Sequence, residues 1–190
     1  MVIAGLAGCA KGGPPGLVVP TATTGTSGQA STSPAARIVG ALPTGCEAIG
    51  TVEEVSAAVG KPVQGVKLVA GNSDSKIGRT DRVDCFYGLG DKTDTTDAPV
   101  AVGLASYIDT QSAARRVNST VDSEKEAGAK ATEIQIGQDK GTLLVGKKVA
   151  TLVATHQATT VVVVAQLTLV PETVAIPTLT KIADRALSPR

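Results

Sequence analysis

The sequence predicts an α+β domain: one antiparallel sheet of about six to seven strands with two to three helices packed on it. Three observations predict it. Strand-like runs follow one another across short polar turns, which favours antiparallel pairing. Helical signatures are few, and the clearest begin at capping residues, Thr51 and Asp109. Apolar residues make up 42% of the chain but aromatics only 2%, so the core must be assembled from Val, Ile, Leu and Ala.

The elements follow in order. Thr51 and Glu54 have the spacing of a capping box, in which side chains at the first turn satisfy each other's backbone N–H groups. Val52, Val55 and Val59 then give one apolar face, and Gly60 and Pro62 stop the helix. Residues 63–70 read as a strand, 71–81 as a polar loop, and 82–89 as a second strand carrying Cys85. A turn over 91–97 leads to a third strand over 99–108. Asp109 caps a helix reaching about residue 128, with Ala114, Val117 and Val121 on its inner side. Strands are expected over 132–136, 141–145, 149–155 and 159–169, with turns at 146–148 and 156–158. Four valines, Val161 to Val164, run without alternation, as in a central strand covered on both faces. Pro171 and Pro177 frame a loop, and a last helix over 178–187 turns Leu179, Ile182, Ala183 and Ala186 to the sheet. Each half is a helix followed by strands, an order that an internal duplication could leave, although no residue-level repeat accompanies it.

The N-terminal part is different in kind. Residues 1–9 end in Leu6, Ala7, Gly8 and Cys9, the pattern of a bacterial lipoprotein cleavage site, where the Cys9 thiol takes the lipid (diacylglycerol, with palmitate). A secretory signal usually runs about 15–30 residues and opens with positive charge. Neither Lys nor Arg precedes Cys9, so a start upstream of Met1 is expected. Residues 10–41 are rich in Ser, Thr, Gly and Pro and bury too little apolar surface to order themselves. They read as a tether with an r.m.s. reach on the order of 30 Å. Its hydroxyls are candidate sites for O-linked sugar. The folded domain is expected over 42–190.

Cys46 and Cys85 are the remaining cysteines, and in an exported chain they are expected to form a disulfide. Two buried free thiols are the bland alternative; a C-x-x-C redox motif is absent. Net charge is +1 with scattered basic residues and no Trp, which disfavours nucleic acid as a partner. No run of about 18 apolar residues occurs, so membrane attachment would rest on Cys9.

The order of parts carries a resemblance. After the lipobox at Cys9 and the tether come Cys46 ahead of a short helix, a strand with Asp84, Cys85, Phe86 and Tyr87, and Ala113, Ala114, Arg115 and Arg116 in a middle helix. This arrangement resembles actinobacterial and mycobacterial envelope lipoproteins and is similar to the extracellular sensor domain of the mycobacterial receptor serine/threonine kinase H. The resemblance implies surface binding or sensing rather than a known reaction.

Catalytic candidates are thin. Ser73 and Lys76 match S-x-x-K, the nucleophile motif of penicillin-binding enzymes, but its companion elements are missing and chance explains a four-residue match. Gly71, Ser73 and Ser75 miss G-x-S-x-G at the last place. His156 is the one histidine and falls in a predicted turn, where solvation is the ordinary fate; it leaves no His pair for zinc. Asp91, Asp94 and Asp97 lack calcium-loop spacing and read as a solvated turn. Arg115 and Arg116, and Lys147 and Lys148, read as exposed faces, with anionic glycolipid as the functional alternative. The expectation is a non-catalytic, cofactor-free envelope lipoprotein on the outer face of the cell membrane, binding a small molecule, glycolipid or protein partner. A lipid or glycolipid carrier with an apolar cavity is the alternative, and a hydrolase the weaker one.

Overall fold

The computed structural model describes residues 36–38, 40–90, 92 and 94–190. Cys9, the tether up to residue 35 and Asp91 therefore lie outside the described residues. Regular structure begins with two short helices, α1 (Cys46–Ile49) and α2 (Val52–Val59). The α2 capping box forms as expected: the Glu54 N–H donates to Thr51 Oγ1 (3.2 Å) and the Thr51 N–H to Glu54 Oε2 (3.0 Å). Gly60, at φ 71°, ends the helix in the left-handed conformation that glycine adopts without strain.

Next come β1 (Val66–Gly71), β2 (Arg79–Tyr87) and β3 (Val100–Tyr107), then α3 (Thr110–Glu126). The Ser112 N–H donates to Asp109 Oδ1 at 2.6 Å, the expected cap. Strands β4 (Lys130–Ile136), β5 (Asp139–Val145), β6 (Val149–His156) and β7 (Thr159–Gln166) precede α4 (Glu172–Ala186). The class is α+β: one antiparallel sheet of seven strands, ordered β1-β2-β3-β7-β6-β5-β4. Four helices are described, three of them longer than one turn.

The two sheet faces are unequal. Val83, Cys85, Val102, Leu104, Leu152, Val161 and Val163 alternate onto one face and form the main core with Leu179, Ile182 and Ala183 of α4 and Val55 of α2. The other face meets α3, where Ala113 packs against Ala105 and Tyr107. The central strand is β7. Val161 and Val163 are fully buried beneath α4, while Val162 and Val164 under α3 are only partly so. Gly103 is needed on the α3 face, because a Cβ there would lie 2.6 Å from Asp84 Oδ1.

Several boundaries differ from expectation. Helix α4 begins at Glu172, not residue 178, and contains Pro177. Proline cannot donate to the carbonyl four residues back, but Pro177 and Thr173 are both exposed, so that carbonyl is not left unpaired in the core. On α3 the buried alanine is Ala113; Ala114 is exposed. Strand β2 starts at Arg79 because its first residues pair back on β3 as a hairpin extension. The packed region starts before residue 42: Ile38 is buried and its N–H donates to Leu187 O at 2.8 Å. The halves are not related as a duplication would relate them. A two-fold axis exchanging antiparallel β3 and β7 would leave the helices that follow them on one face, and α3 and α4 lie on opposite faces.

Candidate functional site

A cleft of about 1040 Å³ opens on the main-core side between α2 and α4. Its floor is apolar, made by Ile49, Val55, Val102 and Ile182 with the Tyr87 ring. Two arginines fasten its rim.

Arg185 projects from the last turn of α4 toward α1 and α2. Its Nε donates to Glu54 Oε1 and Oε2 (3.0 and 2.9 Å), its Nη1 to Ala48 O (2.8 Å) and Ser188 O (3.2 Å), and its Nη2 to Glu47 O (3.3 Å). Arg190 stands 3.4 Å from Glu54 Oε1. Glu54 thus serves the α2 cap and the α4 clamp together. Burial pushes its carboxyl up, but the Thr51 N–H, Arg185 and Arg190 outweigh burial and hold it below its ordinary value. A depressed carboxyl contributes stability that is complete above its unfolded value, 4.5, and is lost as pH falls through the lower folded value. Glu54→Gln is therefore expected to flatten the fall of the urea midpoint with pH below 4.5, measured against the native chain.

Arg37 closes the other end. Its Nη2 donates to Ile136 O (2.9 Å) and Asp184 Oδ1 (2.7 Å), its Nη1 to Asp184 O (3.0 Å) and Ser188 Oγ (3.2 Å), and its Nε lies 3.3 Å from Asp139 Oδ2. Asp139 Oδ1 meets His156 Nδ1 at 2.9 Å. An ionised carboxylate accepts only, so the His156 Nδ1–H donates to it. His156 is not a solvated turn residue. It ends β6, continues the inward series Ala150, Leu152 and Ala154, and is 8% exposed.

The hydroxyls in the lining are already engaged. Tyr87 donates to Gly50 O at 2.7 Å, and burial pushes its hydroxyl up to about 12. Ser188 accepts from Arg37. The arrangement offers a concave apolar site and orients a histidine; it does not align a serine with that histidine.

The candidates read from sequence lie elsewhere. Cys46 and Cys85 are joined by a disulfide, Cα atoms 5.7 Å apart, tying α1 to β2 beside the cleft floor. Ser73 and Lys76 are exposed in the β1–β2 connection, away from the cleft. Asp94 caps a short turn through the Thr96 N–H (2.9 Å) and Oγ1 (2.8 Å), and Asp97 is 3.5 Å from Lys92 Nζ. Among the described residues no group of three or more His, Cys, Asp or Glu side chains is placed to hold a metal ion, and no helix is long and apolar enough to cross a membrane. Arg115 and Arg116, Lys147 and Lys148 are exposed. Arg37, Arg185 and Asp139 were absent from the sequence-derived candidates. His156 had a usable signal: one more residue on the β6 strand places it inward by alternation. No protein-family model matches the chain, and no curated protein matches it.

Proposed function

We propose that the chain is a cell-envelope lipoprotein, anchored through Cys9 on the outer face of the cytoplasmic membrane, and that its domain is a non-catalytic binding module whose site is the α2–α4 cleft. The cleft carries this reading. Small-molecule sites are typically concave, about 300–1000 Å³, and largely apolar with a few placed polar groups. This one, at about 1040 Å³, has an apolar floor and a rim already braced by Arg37 and Arg185, so it is formed before any ligand arrives. The Cys46–Cys85 disulfide fits an oxidising compartment, and the lipobox at Cys9 supports anchorage.

Native mass spectrometry of the full chain released from its own membranes tests the reading. A bound species is expected on the native protein and is expected to be lost from Ala58→Trp, which fills the cleft from α2. Protein that carries nothing, or a bound species equally present on Ala58→Trp, would count against the cleft as the site.

A further inference from the structure

The ligand class can be narrowed from what the rim leaves unused, on the footing that the cleft is the binding site. Most polar groups around it are committed to one another. Glu54 is held by Arg185 and Arg190, Asp184 and Asp139 by Arg37, and Tyr87 and Ser188 are hydrogen-bonded. The charges of the lining, however, do not balance: four basic residues, Arg37, Lys181, Arg185 and Arg190, stand with two carboxylates, Glu54 and Asp184. Lys181, Arg185 and Arg190 all line the cleft, and Glu54 pairs with the two arginines. Asp184 also lines the cleft, where it pairs with Arg37. Lys181 is exposed, one turn before Arg185, and enters no ion pair among the described residues.

We infer that the cleft takes a single-chain amphiphile with an anionic head, its chain laid over Ile49, Val55, Val102 and Ile182 and its head at Lys181 beside Arg190. The apolar floor removes the chain from water, which is the main driving force for such a ligand. The uncommitted ammonium and the surplus positive charge select the head by sign rather than by shape. A carboxylate and a phosphate head share this chemistry.

Fluorescence titration of the full chain with cis-parinaric acid and with its methyl ester separates the parts of the inference. The acid is expected to bind saturably and the ester about tenfold more weakly, a difference of the size one charge-assisted contact supplies. Lys181→Glu, an exposed substitution that leaves the core alone, is expected to weaken the acid about tenfold while leaving the ester where it was. Hexadecyl phosphate competing as well as palmitate extends the class to both heads; competition by palmitate alone restricts it to carboxylates. Equal binding of acid and ester, unmoved by Lys181→Glu, overturns the anionic head and leaves the cleft reading standing. Binding of neither probe, with another species seen on the native protein by mass spectrometry, overturns the amphiphile. Probe binding that survives both Ala58→Trp and the more exposed plug Ala57→Trp overturns the cleft itself.

Discussion

Replacing Cys46 and Cys85 together by alanine is expected to lower the unfolding free energy by about 4 kcal/mol. The disulfide closes a separation of 39 residues, and a link of that length removes a large share of the unfolded chain's freedom. Cys85 is fully buried on β2 and Cys46 is 5% exposed at the start of α1. The bond is therefore enclosed, and without it α1 keeps only its packing and the Arg185 contacts to the Glu47 and Ala48 carbonyls. Alanine is the right replacement, because serine would add two hydroxyls to a dry site. For a domain of this size the loss corresponds to a melting temperature lower by about 8–16 °C. Calorimetry of the oxidised chain against the double variant measures it, and a loss under about 1 kcal/mol would mean that the bond is ornamental to stability. Ellman titration of the unfolded, unreduced native chain is expected to find neither of these thiols free.

Arg37→Met is expected to cost about 3–5 kcal/mol, the range for breaking a buried ion pair from one side. The Arg37 side chain is 9% exposed and Asp139 12%. Removing the guanidinium leaves Asp139 with His156 alone, releases Asp184, and leaves the Ile136 carbonyl without its donor. Methionine keeps most of the side-chain volume, so the measured loss reports charge and hydrogen bonding rather than a void. Adding Asp139→Asn removes the stranded charge and is expected to restore part of the loss, with a coupling of about 1–3 kcal/mol in the double-mutant cycle. Urea unfolding of the four proteins gives this value. A single-variant loss under about 0.5 kcal/mol would show that the cluster is solvated in practice.

What could be read from the sequence was what local chemistry decides. The Thr51 capping box and the Asp109 cap act within three residues, and both form. The antiparallel order of strands follows from short turns, and the cysteine pairing follows from the count left after Cys9. Other features are decided at long range. Arg37 meets Asp184 147 residues away, and Arg185 meets Glu54 131 residues away, so no local pattern marks either arginine. Pro171 and Pro177 suggest a loop between them because proline propensity weighs against helix; α4 tolerates Pro177 on an exposed turn while Ala175, Leu179 and Ile182 hold the buried face. Strand β1 starts at Val66 rather than at residue 63, because an exposed edge strand carries little burial pattern to mark its start.

The middle of the sheet has a consequence for a chain emerging N-terminus first. Strand β3 can gather β1 and β2 at once, but its other neighbour is β7, so Val100 waits for Ala165 and everything between them must be made first. Until then the nascent three-strand meander presents a bare row of backbone amides and carbonyls, open to whichever strand arrives. High contact order of this kind slows collapse to the native topology, and the interval before residue 166 emerges is when a chaperone would matter most.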